Sequence, residues 1–263
     1  MTIHLFHQLH QPDGPETSPP LIIAHGLFGS ARNFQTLAPK LAKGRRVLVA
    51  DMRNHGESPW AESMDYREMG QDLGLLIEDH AGGRAIVLGH SMGGKAAMAL
   101  ALSRPELVVG LIVADIAPVA YPHSHLGYVH AMQGVDLSGI SRRSEADLVL
   151  AETIPQPMLR AFLLQSLAIK AGEAHWQLNL DALEKGMGAV MGWPDDLSEK
   201  SYDGPSLFIY GGASEHEVQN SEPVIRELFP QAELQELAGA GHWLHAEKPA
   251  EFVDAVENWL ARL

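Results

Sequence analysis

The sequence predicts an α/β fold in which a mostly parallel, twisted sheet is flanked by helices and carries an inserted helical cap. Short apolar runs alternate with helical patterns at both ends of the chain, as in doubly wound parallel sheets. One of these runs, 85–88, leads into Gly-x-Ser-x-Gly and then directly into a helical pattern. Between 121 and 200 the alternation stops and helical patterns dominate. We therefore expect a core formed by 1–120 and 201–263, with 121–200 as the cap.

Composition limits the classes of protein to consider. A chain of 263 residues suits one large domain, or a core with an insertion, and 46% apolar with 20% charged residues is ordinary for a globular protein. The net charge of −14, without any run of Lys or Arg, makes nucleic acid and anionic membranes poor partners. The absence of cysteine excludes disulfides, thiol nucleophiles and Cys-ligated zinc.

The chain shows neither a secretory signal nor a membrane span. Its first residues lack a basic segment followed by an apolar one. No stretch approaches 18 uninterrupted apolar residues. We therefore expect a cytoplasmic protein without membrane insertion, whereas the oligomeric state cannot be read from the sequence.

The predicted strands are short apolar segments between turn residues. Residues 3–9 alternate loosely and predict an edge strand before the polar turn at 11–16. Residues 232–237 alternate as well. Continuous apolar runs are typical of strands buried on both faces of a parallel sheet. Strands built around such runs are predicted over 21–24, 47–51, 85–88, 111–115 and 205–211.

Helices are predicted between these strands and throughout the cap. In the cap, Leu159, Phe162, Leu163 and Leu167 recur at helical spacing and define one apolar face. The core helices are expected over 33–41, 69–77, 95–103 and 249–260, and the cap helices over 145–152, 158–169 and 181–190.

The Gly-His-Ser-Met-Gly motif around Ser91 has the context of a nucleophile elbow. A buried strand, a sharp turn and a small-residue helix follow one another without a gap. The turn brings the chain so close to itself that positions two before and two after the serine must be tiny, and they are Gly89 and Gly93. The helix that follows presents free backbone N–H groups, which favour negative charge. Ser91 is therefore the predicted nucleophile, rather than a residue of a plain strand-to-helix loop.

A glycine-rich loop near the end of the chain supplies the predicted base. A serine hydroxyl is hardly ionised at neutral pH and needs a base to take its proton. His242 ends the segment Ala-Gly-Ala-Gly-His, whose glycines allow the imidazole to reach over the sheet edge. His245 is the rival, but it lies at the start of the last helical region, where a structural role is the better interpretation.

The segment 25–29, His-Gly-Leu-Phe-Gly, follows a buried strand and predicts the second half of an oxyanion hole. Attack on a carbonyl places negative charge on its oxygen, which two fixed N–H donors stabilise. The backbones of Leu27 and Met92 are the expected donors. Arg53 and His55 belong to another polar turn, and we interpret them as braces between neighbouring loops.

Two positions are candidates for the acid that orients the base. Many proteins with this motif order place the acid after the strand predicted here over 205–211, where the chain has Ser214 followed by Glu215. A shift of one residue tends to turn a side chain away, although a loop can relax that tendency. The alternative is Asp115, which ends the preceding strand and preserves the order serine, acid, histidine.

Fourteen histidines raise the possibility of a metal centre. His4, His7 and His10 are three apart, and a strand would place them on different faces. His123 and His125 have no acidic residue close in sequence. Metal sites need convergent ligands that this spacing does not supply. We therefore expect no metal.

Taken together, the motifs are similar to those of the α/β-hydrolase superfamily, and specifically of cap-bearing bacterial esterases of the YbfF type. They also resemble a mitochondrial abhydrolase relative. The resemblance implies an α/β-hydrolase fold with a helical lid, and cofactor-free hydrolysis of short-to-medium acyl esters or thioesters. It also implies Asp115 as the acid, with Ser214 as an auxiliary member. We therefore expect Asp115 to be the acid and keep Glu215 as the alternative. The strings that carry the resemblance are HGLFGS, DMRNHG, GHSMGGK, ADIAPV, GG-x-S and AGAGHW-x-HAEKP.

The leading hypothesis is a serine esterase or thioesterase acting on a small molecule, with Phe28, Phe162, Met187 and Trp193 in the substrate pocket. Two alternatives remain. The same scaffold serves cofactor-free haloperoxidases and C–C bond hydrolases, and it also serves receptor-like proteins that keep a vestigial catalytic site. Dehalogenases and epoxide hydrolases are disfavoured because they normally have aspartate where this chain has Ser91.

Overall fold

Six parallel strands and one antiparallel edge strand form the central sheet in the computed structural model, which describes residues 1–263. The spatial order is β1-β3-β2-β4-β5-β8-β9, and β1 pairs antiparallel with β3. The remaining neighbours are parallel. The predicted α/β-hydrolase fold class is confirmed. The sheet strands are β1 His7–His10, β2 Leu21–Ala24, β3 Val47–Ala50, β4 Ala85–His90, β5 Val108–Ala114, β8 Ser206–Gly211 and β9 Ala232–Leu237, and β6 Leu167–Lys170 with β7 Glu173–Trp176 forms a separate hairpin.

Helices cover both faces of the sheet, and apolar side chains form one buried cluster on each face. The cluster with α2 and α3 also includes the segment inserted after β5, whereas α1 and α10 belong to the opposite cluster. No helix is both long and apolar enough to cross a bilayer. The helices are α1 Ala38–Leu41, α2 Tyr66–His80, α3 Met92–Ser103, α4 Leu126–Gln133, α5 Arg143–Leu150, α6 Pro157–Leu163, α7 Leu180–Met191, α8 Glu222–Leu228, α9 Leu244–Glu247 and α10 Pro249–Leu260.

The helix after the Ser91 motif is buried nearly all round, which explains its small residues. In α3, every residue from Met92 to Leu102 is buried. Alanine and glycine leave room for the sheet on one side and α2 on the other. The fit is close, because a Cβ at Gly70 of α2 would lie 3.0 Å from the Leu100 nitrogen. This packing holds the start of α3 firmly beneath Ser91.

The predicted N-terminal edge strand is wrong in its extent. The strand begins at His7, not at residue 3, and ends at His10. Backbone N–H groups before it bond side chains instead of a strand: Ile3 donates to Asp72 at 2.8 Å and Phe6 to Ser58 Oγ at 2.9 Å. Hydrogen bonds to these side chains take the place of the strand pairing that the loosely alternating apolar residues predicted.

The predicted cap helix over 158–169 is also wrong at its end. Helix α6 stops at Leu163, and after one tight turn the chain forms β6, which pairs antiparallel with β7. Ala171 and Gly172, which link the two strands, both have positive φ, 52° and 85°. Such values at both central residues are typical of a two-residue hairpin turn. Leu167 is buried either way, so its place in an apolar pattern could not distinguish the two structures.

A buried lysine joins the two ends of the inserted segment. Lys95 of α3 donates from Nζ to the carbonyls of Val119 and Gly192, both at 2.7 Å, and lies 4.9 Å from the centre of the Tyr121 ring. Burial lowers the pKa of Lys95 to about 7. The segment thus leaves and re-enters the core above the helix that follows Ser91.

Candidate active site

The predicted catalytic and oxyanion-hole residues follow strands at the carboxyl edge of the sheet. Leu27 follows β2, Ser91 follows β4, Asp115 follows β5, Ser214 lies beyond β8 and His242 lies beyond β9. Neighbouring parallel strands end at the same edge, where the loops of open α/β sheets bind ligands. The fold therefore gathers residues that are far apart in the sequence.

Ser91 has the strained backbone that the motif predicted. Its φ of 52° and ψ of −118° lie outside the regions that L-residues usually adopt. A Cβ at Gly89 would lie 2.2 Å from the Gly93 carbonyl oxygen, and a Cβ at Gly93 would lie 2.4 Å from the Ala24 carbonyl oxygen. Contacts this short exclude any side chain at either position. The Ser91 N–H donates to the Ala114 carbonyl at 3.0 Å, which fixes the turn to β5.

Asp115 contacts His242 directly. The Nδ1–H of His242 donates to Asp115 Oδ2 at 2.7 Å. The other carboxylate oxygen accepts the Gly211 N–H at 2.8 Å, and the Ser214 hydroxyl donates to Oδ2. Burial raises the pKa of Asp115, and the hydrogen bonds from Ser214 and Gly211 oppose that rise. Three donors around one carboxylate favour its charged form.

Glu215, the other candidate acid, lies apart from this network. Its side chain is exposed and makes no hydrogen bond or ion pair. Ser214, one position earlier, is the residue of this loop whose side chain bonds the carboxylate. The loop after β8 thus supplies a hydroxyl donor, while the strand beside it supplies the carboxylate.

His242 and Ser91 line the same cleft. The Ser91 hydroxyl makes no hydrogen bond to a protein group, as is common before substrate binds. Burial, followed by repulsion from neighbouring imidazoles, lowers the pKa of His242 to about 3. The ring is therefore neutral near pH 7 and can accept a proton. His90 holds the backbone at this point through a 2.9 Å bond from Nε2 to the His242 carbonyl.

Two backbone N–H groups beside Ser91 have no acceptor, those of Leu27 and Met92. Met92 is the first residue of α3, where a helix has no internal partner for its N–H. The loop carrying Leu27 is pinned at the next residue, because Phe28 has a φ of 63° and donates its N–H to His55 Nε2 at 3.2 Å. Both donors lie on constrained backbone beside the serine.

The polar turn 51–58 braces the loops, as predicted. His55 donates from Nδ1 to the Arg53 carbonyl at 2.8 Å, while its Nε2 accepts the bond from Phe28. His25 accepts the Met52 N–H on Nε2 at 2.9 Å. Arg53 is fully buried in a two-pronged ion pair with Asp72. None of these side chains lines the cleft.

The buried histidines predict loss of stability in acid. Burial is the largest cause that lowers the pKa of His25 to about 4, of His55 to about 3, and of His90 and His245 well below 6.5. In the unfolded chain these histidines take up protons near pH 6.5, whereas in the folded chain they stay neutral. The free energy of unfolding is therefore highest above pH 6.5 and decreases as the pH falls. At pH 5.5 His25 and His55 each lower the free energy of unfolding by about 1.4 kcal/mol, and His90 and His245 act in the same direction.

Urea unfolding at pH 7.5 and 5.5 measures this loss. His175→Gln provides the control, since it removes an exposed imidazole and leaves the four buried ones in place. Replacing His55 with asparagine should reduce the difference between the two pH values. An equal free energy of unfolding at both pH values contradicts the prediction.

The cleft above Ser91 has a cavity volume of about 80 Å³ and has apolar and aromatic walls. Phe28 and Phe162 line it as expected, but Met187 and Trp193 do not. Met187 faces the buried core from α7, and Trp193 packs against Tyr66 with ring centres 6.3 Å apart. Helical spacing identified an apolar side of the cap but not which apolar residues face the serine. The wall residues that sequence reasoning did not assign to the pocket are Gly26, Asn33, Phe34, His90, His125, Tyr128, Leu159, Trp243 and His245.

Sequence reasoning also missed His216, which lies next to the Asp115–His242 pair. Its Nδ1 is 3.8 Å from Asp115 Oδ2, and its ring stacks on that of His242. One carboxylate and two imidazoles could in principle hold a metal ion. Ring nitrogens bind metals in the plane of the ring, and two rings inclined by 15° direct their nitrogens side by side rather than at one point. The available signal in the sequence was that His216 directly follows Glu215, one of the two candidate acids.

Comparisons with known proteins agree with this fold. A family model described as alpha/beta hydrolase fold matches residues 19–249. The mouse sn-1-specific diacylglycerol lipase ABHD11 is 42% identical over 257 residues, covering 95% of this chain and 83% of that protein. Esterase YbfF of Escherichia coli is 35% identical over 244 residues, covering 92% of each. A solved structure titled marine microorganism esterase superposes with a TM-score of 0.91 at 35% identity, covering 98% of this chain and 100% of that one.

Proposed function

This chain belongs to the α/β-hydrolase family and is a carboxylic ester hydrolase, and from that premise we propose that it cleaves short-to-medium acyl esters or thioesters through an acyl-enzyme on Ser91. The observation that carries the proposal is the 2.7 Å hydrogen bond from His242 to Asp115 beside the Ser91 turn. Few other reactions need a buried carboxylate, an imidazole and a strained serine at one cleft.

In the proposed reaction His242 takes the Ser91 proton on Nε2 while Oγ attacks the substrate carbonyl. The N–H groups of Leu27 and Met92 stabilise the negative charge that forms on the carbonyl oxygen. Asp115 holds the imidazole tautomer and stabilises the imidazolium. His242 then donates the proton to the leaving alcohol or thiol, and water hydrolyses the acyl-enzyme by the same steps in reverse order.

Ser214 supports the acid in this scheme. Its hydroxyl donates to the oxygen of Asp115 that also bonds His242. The donation favours the charged carboxylate at the end of a buried strand, where burial alone disfavours charge. Ser214 is therefore an auxiliary member of the site that acts on the acid.

We further propose that 121–200 acts as a cap that determines which acyl chains are accepted. This segment supplies Tyr128, Leu159 and Phe162 to the cleft wall. Beyond Phe162 and Trp243 a shallower groove continues toward the exposed Met158. The apolar wall of the cleft fits an acyl chain of several carbons rather than a charged group.

Replacing Phe162 with alanine should move the chain-length optimum toward longer acyl groups, because removing the ring enlarges the cleft. The measurement is kcat/KM for p-nitrophenyl esters and acyl-CoAs of increasing length. Met187→Ala is the matched control, since it removes a buried side chain outside the cleft: we expect a loss of about 2–5 kcal/mol in stability but an unchanged profile.

The same series of esters and acyl-CoAs also tests the proposed ester or thioester hydrolysis. Hydrolysis of several esters by the wild-type protein supports the proposal, and the relative rates on esters and acyl-CoAs separate esterase from thioesterase activity. Failure to turn over any of these substrates contradicts it and favours a ligand-binding role. A preferred cleavage of a β-diketone substrate would favour a C–C bond hydrolase instead.

A further inference from the structure

His216 packs on the face of the proposed base. The two ring centres are 4.0 Å apart with an interplanar angle of 15°, so the rings are stacked nearly parallel. His216 lies in the loop after β8, and its side chain is 12% exposed. Its backbone N–H donates to Ser214 Oγ at 3.2 Å. One residue thus contacts the base by its ring and the auxiliary serine by its backbone.

The proposed base has few other restraints on its ring. The bond from Nδ1 to Asp115 holds one edge, and the bond from His90 holds the backbone carbonyl, not the ring. The ring of His90 is inclined by 39° at 4.7 Å, so it does not stack on His242. A ring held at one edge can tilt about that edge. Proton transfer from Ser91 requires a ring that does not tilt, since misplacement by about 1 Å can cost 10²-fold in rate.

We propose that His216 is a positioning residue, whose ring holds the His242 ring by stacking. The proposal rests on the proposed role of His242 as the base of an ester hydrolase. His216 acts through its neighbours and needs no contact with substrate. It is itself held by the Tyr121 ring at 5.0 Å and, edge-on, by the His123 ring at 5.6 Å.

The surroundings of His216 suit a neutral ring. Burial, followed by repulsion from His242, lowers the pKa of His216. When His242 becomes positively charged during the reaction, it faces a neutral ring and is not repelled as it would be by a second imidazolium. The 3.8 Å separation between His216 Nδ1 and Asp115 Oδ2 is beyond hydrogen-bond length, so His216 does not displace His242 from the carboxylate.

Truncating His216 tests the proposal. His216→Ala should lower kcat for a p-nitrophenyl ester by about 10- to 100-fold, with KM changed by less than about twofold, because the cleft wall stays intact. His216→Phe keeps a stacking ring and should recover most of kcat. Glu215→Ala is the matched control on the same loop, and its exposed side chain should be dispensable.

Proton NMR gives a readout that needs no substrate. The Nδ1 proton shared by His242 and Asp115 should give a low-field resonance in the wild type and in His216→Phe, and this resonance should broaden or disappear in His216→Ala. Circular dichroism and thermal melting verify that each variant is folded.

Two results would overturn the role of His216: a kcat for the alanine variant within twofold of wild type, or a folded phenylalanine variant as impaired as the alanine variant. If the wild-type protein hydrolyses no ester at all, the proposed function fails instead. The NMR comparison then still shows whether His216 holds the ring.

Discussion

Replacing Ser91 with alanine is expected to lower kcat by about 10³-fold or more while the protein stays folded. The change removes the oxygen that forms the acyl-enzyme. It breaks no hydrogen bond, because the Ser91 hydroxyl bonds no protein group, and alanine retains the Cβ that the strained turn already accommodates. The loss should therefore appear in kcat and not in the melting temperature.

Covalent labelling identifies the nucleophile independently of any substrate. A fluorophosphonate probe should label the wild-type protein and fail to label Ser91→Ala. Ser198→Ala, which removes a hydroxyl from an exposed position, should be labelled like the wild type. Labelling that persists in Ser91→Ala would mean that another residue is the nucleophile.

Replacing Asp115 with asparagine should lower kcat by about 10⁴-fold. The amide cannot stabilise the imidazolium, and it favours the wrong tautomer of His242. It also presents an uncharged group to the donors from Gly211 and Ser214. Steady-state kinetics on a p-nitrophenyl ester measures the loss, and circular dichroism verifies the fold.

Glu215→Gln is the control for the acid. Its side chain is exposed and unpaired, so kcat should stay within about twofold of the wild type. The opposite ranking, an inactive glutamine variant beside a nearly normal asparagine variant, would assign the acid to the loop after β8 and reject Asp115.

Local steric and periodic constraints explain why much of the molecule could be predicted from the sequence. Continuous apolar runs separated by helical patterns predicted the parallel sheet, since strands buried on two faces tolerate few polar residues. The turn at Ser91 was readable because two main-chain segments pass so close that no side chain fits at Gly89 or Gly93. Such constraints act within a few residues, so the local sequence carries them.

Other features were ambiguous locally. The alternative between Asp115 and Glu215 depended on strand adjacency: β5 lies beside β8 in the sheet, which brings the loop with Ser214 onto the Asp115 carboxylate. Leu167 fits the apolar face of a helix as well as a buried strand. Pairing with β7 decided the outcome.

The sequence by itself determined the sheet, the serine turn and the glycine-rich loop with His242, because each depends on contacts between near neighbours in the chain. Only the tertiary structure decided that Met187 faces the core rather than the cleft and that His216 stacks on His242. Those arrangements depend on how separate elements pack against one another. Residues distant in the chain meet there, and no local pattern records which of their faces will be in contact.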